Sequence, residues 1–467
     1  MKKYILTALA ALSLGLSASA QLRTAYFMEG TQFRTDMNPA LYPIRGYLNI
    51  PVISALQFNL NNNFLSLNNF IYPNPNGEGS VLFLHPSVRE GNKFLKKLPE
   101  DNMLGFNTTI NILGFGAHTR KLFWNVGLNV KAELELNIPK DLFRFMTTFG
   151  PGTYDISNLN ANAQAYSELF IGFAVPVTDW FVIGARVKGL LGIANIDMGL
   201  DKTSIKLTDT EVSGKMSGTM RMSSIINNQV AQNSNLDFGD MFNFSLDNLG
   251  FKHFGGAIDL GLEVTLLKNL RLSAAVTDLG WIQWHKSKTI MGNISADAKY
   301  TGYDFDANEV EFDFSEPEIT VGGKSDSYMK RLNTSLNVGA EYTFCKDRLS
   351  LGVLSHTRFG SVATHTDLTV SANFRPLSWL SASVSQTLLN NNALGVFGFA
   401  LNLHPPGINI FAGADFINFK VAKGIPIPVK MSSFNIYTGF GFNIGKARFH
   451  KNSKFYKPLE KKSKKKK

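Results

Sequence analysis

Cysteine and long apolar runs are nearly absent from this sequence. The chain of 467 residues contains one cysteine, Cys345, so no disulfide can form within it. After residue 20, no stretch is apolar enough to cross a membrane as a helix, which takes about 20 such residues. No segment rich in Pro and Ser divides the chain into domains. We therefore expect one large unit, and in lipid the remaining way to satisfy its backbone is a closed barrel.

Motifs of enzymes and nucleotide-binding proteins are also missing. His-Glu-x-x-His and Gly-x-Ser-x-Gly do not occur, and Glu318 stands where a phosphate loop ending in Gly323-Lys324-Ser325 requires glycine. A barrel lipase is conceivable, but Ser355 and His356 are neighbours in a predicted strand and point to opposite faces. We therefore predict no catalytic residue, no cofactor and no metal site.

The net positive charge is concentrated at the two ends of the chain. Of the formal net charge of +11, the nine Lys and one Glu from Lys451 onward supply +8, and Lys2 and Lys3 supply +2. Residues 446–467 are predicted to be a basic periplasmic tail. Its Lys-rich run at 461–467 is predicted to be solvated, and contact with an anionic lipid surface or the cell wall is the alternative. Nucleic acid is not an expected partner of an exported protein.

Residues 1–20 have the pattern of a secretory signal peptide. Lys2 and Lys3 precede a short apolar run at 4–16, and Ala18-Ser19-Ala20 fits a cleavage site. A membrane anchor is the alternative, but the run is too short for it. No Cys follows the site, so a lipid anchor is not expected, and the mature chain should begin near Gln21.

The segment 165–195 has the clearest pattern of a transmembrane β-hairpin. Apolar side chains alternate along both arms, and successive side chains of a strand point to opposite faces. Residues 176–179 between the arms form a predicted tight turn. Each arm has at least ten residues, and about nine to eleven tilted residues cross a bilayer. The pattern predicts an apolar face towards lipid and a polar, glycine-rich face towards the lumen.

The same alternation predicts an all-β fold, a transmembrane antiparallel barrel of about fourteen strands over residues 45–445. Short connections alternate with long polar ones, as in outer-membrane barrels with short periplasmic turns and long outer loops. A short helix is predicted at 139–149 and an outer hairpin within 203–222. The predicted strands are 45–60, 103–118, 122–137, the two arms of 165–195, two within 255–285, 331–344, 348–359, 367–375, 379–389, 394–403, 408–417 and 433–444.

Two short motifs resemble the FadL family of outer-membrane transporters for hydrophobic compounds and the related PorV-like barrels of Bacteroidota. The first is Asn38-Pro39-Ala40, shortly after the signal peptide, and the second is the stretch 276–284, Val-Thr-Asp-Leu-Gly-Trp-Ile-Gln-Trp. The resemblance implies that residues 21–44 form an N-terminal plug inside a fourteen-stranded barrel. Arg34 and Asp36 are expected to pair with charged groups of the lumen. A mobile lead-in is the alternative for this segment.

Charged side chains on the polar strand faces predict a network in the lumen. At Asp278 the alternation breaks, and a bulge at Asp278 and Gly280 is predicted to redirect the carboxylate. A structural ion-pair network is the favoured interpretation, and a polar path for a substrate is the alternative. Asn129 and Gly184 face the lumen, and a modest polar residue there is expected to be tolerated better than Arg in place of the lipid-facing Leu128 or Ile183. The predicted network comprises Lys131, Glu133, Glu135, Glu168, Arg186, Lys188, Asp259, Glu263 and Arg271.

Two functions remain open at this point. One is transport of hydrophobic or amphipathic small molecules through a plugged lumen, with a lateral exit as an option. The other is a scaffold or anchor barrel that serves secretion or surface attachment of a partner protein. An apolar lining of the lumen would favour transport. Lipids of the outer membrane are expected partners in both cases.

Overall fold

A computed structural model describes most of the chain, and the predicted signal peptide and the end of the Lys-rich tail lie outside the described residues. The described residues are 23–50, 55–65, 67–74, 77, 79–89, 93–148, 150–225, 250–301, 318–320, 326–389, 392–416 and 433–456.

Fourteen antiparallel strands form the barrel wall, which confirms the predicted fold class. Each strand pairs with the next, and β14 pairs with both parts of β1, so the sheet closes on itself. The strands are β1 (Gly46–Asn49 and Ala55–Asn62), β2 (Asp101–Thr119), β3 (Leu122–Pro139), β4 (Asn160–Pro176), β5 (Phe181–Leu200), β6 (Phe254–Leu266), β7 (Leu270–Trp284), β8 (Tyr328–Arg331 and Thr334–Phe344), β9 (Leu349–Phe359), β10 (Thr364–Leu377), β11 (Leu380–Leu389), β12 (Asn392–Leu403), β13 (Asn409–Phe416) and β14 (Ser433–Ile444).

The two faces of the wall have opposite character. In β5, Ile183 and Val187 are 45% and 58% exposed on the outside, whereas Arg186 and Lys188 point inwards and are buried. An apolar exterior is compatible with lipid tails, and a closed sheet leaves no unpaired strand edge in the membrane. The protein is therefore an outer-membrane β-barrel. Within the described residues, no helix is long and apolar enough to span a membrane.

Short turns connect the strands at one end of the barrel, which is the periplasmic end in outer-membrane barrels. Non-glycine residues with left-handed backbone occur in three of these turns, at Arg120, Lys268 and Lys346, with φ of 55°, 63° and 56°. The short turns comprise residues 120–121, 177–180, 267–269, 345–348, 378–379 and 404–408.

Longer connections at the other end carry additional structure. An apolar cluster that includes Phe64, Phe94 and Phe143 covers the outer surface of β1–β3 at Leu60 and Leu104. The predicted helix is present as Lys140–Thr148, and the predicted hairpin pairs Ser204–Leu207 with Glu211–Ser224. These connections also contain the strands Ile71–Pro73, Ser80–Leu82, Gly152–Asp155, Thr289–Thr301 and Glu318–Thr320, the α-helices Leu67–Phe70 and Pro86–Arg89, and the 3₁₀ turns Leu95–Lys97 and Lys286–Lys288. One further 3₁₀ turn, Gln32–Asp36, lies in the N-terminal segment before β1.

Replacing Val187 by Arg is expected to destabilise the folded barrel by roughly 2–4 kcal/mol, the cost of a cation near the bilayer midplane. Thr219, exposed on an outer strand, is the control, and Thr219→Arg should leave stability nearly unchanged. Urea titrations in lipid vesicles measure both. Equal losses would mean that the face carrying Val187 does not contact lipid.

Candidate functional site: the filled lumen

The described part of the N-terminal segment, residues 23–44, lies inside the barrel and is almost entirely buried. Arg23 pairs with Asp367 of β10 at 2.7 Å, and Thr24 donates a hydrogen bond to Asp415 of β13. Arg375 of β10 donates to the carbonyl oxygen of Phe27 at 2.9 Å. The segment is thus bonded to the inner wall by polar groups on both partners. Whether it blocks passage of solutes stays a prediction.

The predicted plug motif contacts two glycines of the wall. The amide nitrogen of Ala40 donates to Asn38 Oδ1 at 2.9 Å, which holds a tight turn, and Asn38 Nδ2 donates to the carbonyl oxygen of Leu262 at 3.3 Å. A Cβ atom added to Gly184 of β5 would lie 2.3 Å from Ala40 N, and one added to Gly261 of β6 would lie 2.1 Å from Asn38 Oδ1. Both positions favour glycine, because the segment's backbone approaches Gly184 closely and the side chains of Asn38 and Pro39 approach Gly261.

This contact limits the side chains that Gly184 can be replaced by. Gly184 faces the lumen as predicted, but the space beside it is filled by Pro39 and Ala40. Asn129 is also constrained, because it donates to Glu168 Oε1 at 2.7 Å and accepts from Asn111 at 2.7 Å. Inward orientation alone therefore does not predict tolerance in a filled lumen.

Glycines on three further strands accommodate side chains of the same segment. A Cβ atom on Gly339 of β8 would lie 2.8 Å from the Tyr26 ring, and one on Gly352 of β9 would lie 2.4 Å from the Phe27 ring. On Gly398 of β12 it would lie 2.2 Å from Thr24 Oγ1. Sequence reasoning found no role for these glycines, although their positions on the inner strand faces were available as a signal.

Replacing Gly184 by Ala is expected to displace the segment at Ala40 and to destabilise the protein by about 1–3 kcal/mol, the usual cost of overpacking. Gly105 of β2 is the matched control, because a Cβ atom there would meet nothing closer than 3.8 Å. Thermal unfolding in detergent compares the two variants. Equal stability of Gly184→Ala and Gly105→Ala would contradict the close contact.

One group of predicted charges meets in the lumen as a compact network. Lys188 Nζ lies 2.8 Å from Asp259, 2.6 Å from Asp278 and 3.7 Å from Glu168. Lys131 Nζ bridges Glu168 at 3.0 Å and Asp278 at 3.1 Å. Two lysines thus neutralise most of the charge of three carboxylates from β4, β6 and β7, in a region from which water is largely removed.

The strand irregularity brings Asp278 into this network. The pairing of β6 with β7 shifts between Ile258 and Leu260, and Asp278 has a left-handed backbone with φ of 59°. Its amide nitrogen donates to Asp259 Oδ1 at 2.7 Å. The structure thus places the Asp278 carboxylate inside the barrel, and Gly280 follows where β7 lies against Ala257 of β6.

Two other ion pairs connect the segment to the wall. Arg186 Nη1 lies 2.7 Å from Asp36, and Arg271 pairs with Glu29 and, at 3.1 Å, with Glu341. Burial opposes ionisation of Glu29, but the guanidinium groups of Arg375 and Arg271 outweigh it and hold the pKa of Glu29 well below its usual range. Glu29 therefore stays charged and keeps its partners.

The remaining predicted charges lie apart from the network around Lys188. Glu133 and Glu135 of β3 pair instead with Arg358 of β9, at 3.2 and 4.0 Å. Glu263 lies near Arg271 and Arg34, and forms no ion pair within 4.0 Å among the described residues. Sequence reasoning missed Glu341, Arg358 and Arg375, although inward positions on β8–β10 follow from the same alternation.

The space left between the segment and the wall is small and polar. A lumen cavity of about 90 Å³ is lined by Asp36, Lys131, Asp278, Asn337 and Arg358, among others. A larger cavity of about 560 Å³ near the outer end is lined by Asp197, Arg221 and Lys330. A pocket for a drug-sized ligand takes about 300–1,000 Å³, so the outer cavity is large enough and the inner one is not.

An apolar patch lies on the inner wall between β4 and β8. Trp284 and Ile282 of β7 are fully buried, and they pack with Tyr166, Leu190 and Leu332. They reach the inside because the bulge at Asp278 reverses the facing of β7, which leaves Leu279 and Trp281 half-exposed outside. Tyr328 packs on this cluster and accepts a hydrogen bond from Asn195 Nδ2, and Asn195 Oδ1 accepts a bond from Lys330 of the outer cavity.

The closed wall, the apolar exterior and the filled lumen define an outer-membrane β-barrel. The chain belongs to the family of unknown function DUF5723, whose model matches residues 39–415. No curated protein matches the sequence.

Among solved structures, the chain is similar to the Ralstonia pickettii toluene transporter TbuX, with 10% identity, a TM-score of 0.45, and coverage of 92% of this chain and 100% of that one. The Pseudomonas putida toluene transporter TodX has 10% identity, a TM-score of 0.38, and coverage of 92% and 94%. A Pseudomonas aeruginosa FadL homologue has 8% identity, a TM-score of 0.29, and coverage of 91% and 96%. These neighbours are of the FadL type indicated by the sequence resemblance, whereas the PorV-like and Bacteroidota assignments stay predictions.

Proposed function

We propose that this protein transports hydrophobic or amphipathic small molecules across the outer membrane, with residues 23–44 as a plug. The observation that carries the proposal is the apolar patch of Tyr166, Leu190, Ile282, Trp284 and Leu332 on the inner wall, in a cluster that contains no residue of 23–44. Other apolar side chains of the inner wall, such as Leu354, Phe411 and Tyr437, pack instead with the N-terminal segment. A barrel filled only for rigidity has no need of such a patch beside a cavity open towards the outside.

The arrangement supports a route that does not follow the barrel axis to the periplasm. Below the patch, the ion pairs of Lys188 and Arg186 and the packed segment leave a cavity of only about 90 Å³. Beside the patch, the wall is irregular, since β7 bulges at Asp278 and β8 is interrupted between Arg331 and Thr334. A solute that enters from the outer cavity would pass the patch and leave sideways into the membrane at this irregularity.

The closely packed patch must rearrange to admit a solute. The backbone next to it can move, because the pairing of β7 with the first part of β8 is only four residues long. One further bond, from Leu332 N to Gly280 O at 3.0 Å, adjoins that pairing. Small glycines at 255 and 256 of β6 line the same region. A scaffold barrel would need neither the patch nor its movement, so solute uptake separates the two functions.

Replacing Ile282 by Asn is expected to lower uptake of an apolar solute several-fold, because an unpaired amide in an apolar site costs about 1–3 kcal/mol. Toluene, the compound named for TbuX and TodX, is a suitable probe. Ile294, buried on an outer strand, is the control, and Ile294→Asn should leave uptake unchanged. Heat-modifiable migration on gels verifies that both barrels assemble. Unchanged uptake in an assembled Ile282→Asn barrel would contradict the proposed route.

A further inference from the structure

The residues after the last strand form an ordered strap across the periplasmic end of the barrel. Residues 446–456, called the strap below, follow Gly445, whose φ of +76° turns the chain. Arg448 N donates to the carbonyl oxygen of Ile44 at 2.8 Å, where the N-terminal segment enters β1. The ring centroids of Phe449 and Phe455 lie 5.7 Å apart, so the two rings pack against each other within the strap. The strap is the first part of the predicted basic periplasmic tail, residues 446–467.

The strap is bonded to four successive periplasmic turns. The Arg448 guanidinium donates to Arg120 O, Asn452 Nδ2 donates to Lys268 O, and Lys454 N donates to Lys346 O at 2.8 Å. All three accepting residues have the left-handed backbone described above. Lys451 pairs with Asp179 of the remaining turn, and His450 Nδ1 lies 3.7 Å from Asp347.

Exposed cations dominate the surface that results. The four turns contribute Arg120, Lys121, Lys268 and Lys346, and the strap contributes Lys446, Arg448, Lys451 and Lys454, all exposed. Asp179 is exposed and already paired, and Asp347 is buried. The two turns that the strap does not cross, 378–379 and 404–408, contain no Lys, Arg, Asp or Glu. The positive charge therefore follows the strap and is not a uniform ring around the rim.

We propose that this basic periplasmic face binds the cell wall through the carboxylates of its peptidoglycan. The strap crosses the barrel end, so its cations lie over the mouth, where the headgroups of the surrounding lipid leaflet do not reach. A polymer layer below the membrane does reach them. Clustered cations of one sign attract a polyanion over a distance set by ionic strength. Residues 457–467, which follow the strap in sequence, contain seven Lys and one Glu.

The test is co-sedimentation of the full-length protein in detergent micelles with purified peptidoglycan sacculi. A variant carrying K121Q, K268Q, K346Q and K454Q removes four side-chain charges and keeps the backbone bonds of the strap. Its binding should weaken about tenfold, as expected for several exposed charge pairs. The matched control carries K93Q, K96Q, K202Q and K206Q, which removes four exposed lysines from the outer elements, and it should bind like the unmodified protein.

Two further arms decide between sources of negative charge. Sacculi whose carboxylates have been amidated should lose the protein, and phosphatidylglycerol vesicles should not distinguish the periplasmic variant from its control. Equal binding of both four-lysine variants to native sacculi would overturn the proposal. So would loss of binding on removal of residues 457–467 with none on removal of the four periplasmic lysines, or discrimination by vesicles alone. Heat-modifiable migration verifies that each variant is folded.

Discussion

Replacing Lys188 by Met is expected to lower the free energy of unfolding by about 3–5 kcal/mol, because it leaves buried carboxylates without their counter-charge. Lys188 is 3% exposed and lies within 2.8 Å of both Asp259 and Asp278. Lys131 remains near Asp278 and Glu168, so Asp259 loses most. Urea-induced unfolding in lipid vesicles, followed by tryptophan fluorescence, measures the loss.

The control for this substitution is an ion pair in water. Lys215 and Asp297 face each other at 3.6 Å on the outer strands, and their side chains are 75% and 71% exposed. Lys215→Met should change stability by less than about 1 kcal/mol, since exposed pairs contribute little. Similar losses for both variants would show that the charges around Lys188 are solvated, and that the lumen is open to water.

Deletion of residues 23–43 is expected to turn a closed barrel into a conducting one. The segment fills the lumen from Thr24 at β13 to Ala40 at β5, and the space it leaves is lined by polar side chains. A barrel of fourteen strands approaches the size at which porins enclose an aqueous channel. Single-channel currents in planar bilayers should rise from near zero to stable open steps.

The control for the deletion is a chain without residues 457–467, because these residues are not part of the segment that fills the lumen. Its currents should match those of the full-length protein. If the full-length protein already conducts like an open porin and the deletion adds nothing, residues 23–44 are not a plug.

The barrel itself could be predicted from sequence because side-chain alternation is a local property. The arms around 176–179 have period two over more than ten residues, which only a strand with two different faces explains. Loop lengths then gave the orientation. The break at Asp278 was visible for the same reason, since one carboxylate fell on an apolar face.

The contents of the lumen could not be predicted, because they depend on which residues meet across the barrel. Alternation places Gly184 inside, but only the fold shows that Ala40 lies against it. The bulge at Asp278 could be predicted, but not that it turns Ile282 and Trp284 of β7 inwards. The bonds of the strap could not be predicted either, because they join it to turns far away in sequence.

Uptake by intact cells tests the central claim, transport of apolar molecules, most directly. Cells with and without the protein in the outer membrane are exposed to N-phenyl-1-naphthylamine, an apolar dye that fluoresces on entering a membrane, and to a charged dye of similar size. The proposed function predicts faster entry of the apolar dye only in cells that carry the protein, and no difference for the charged dye. Equal rates of apolar dye entry with and without the protein would contradict transport.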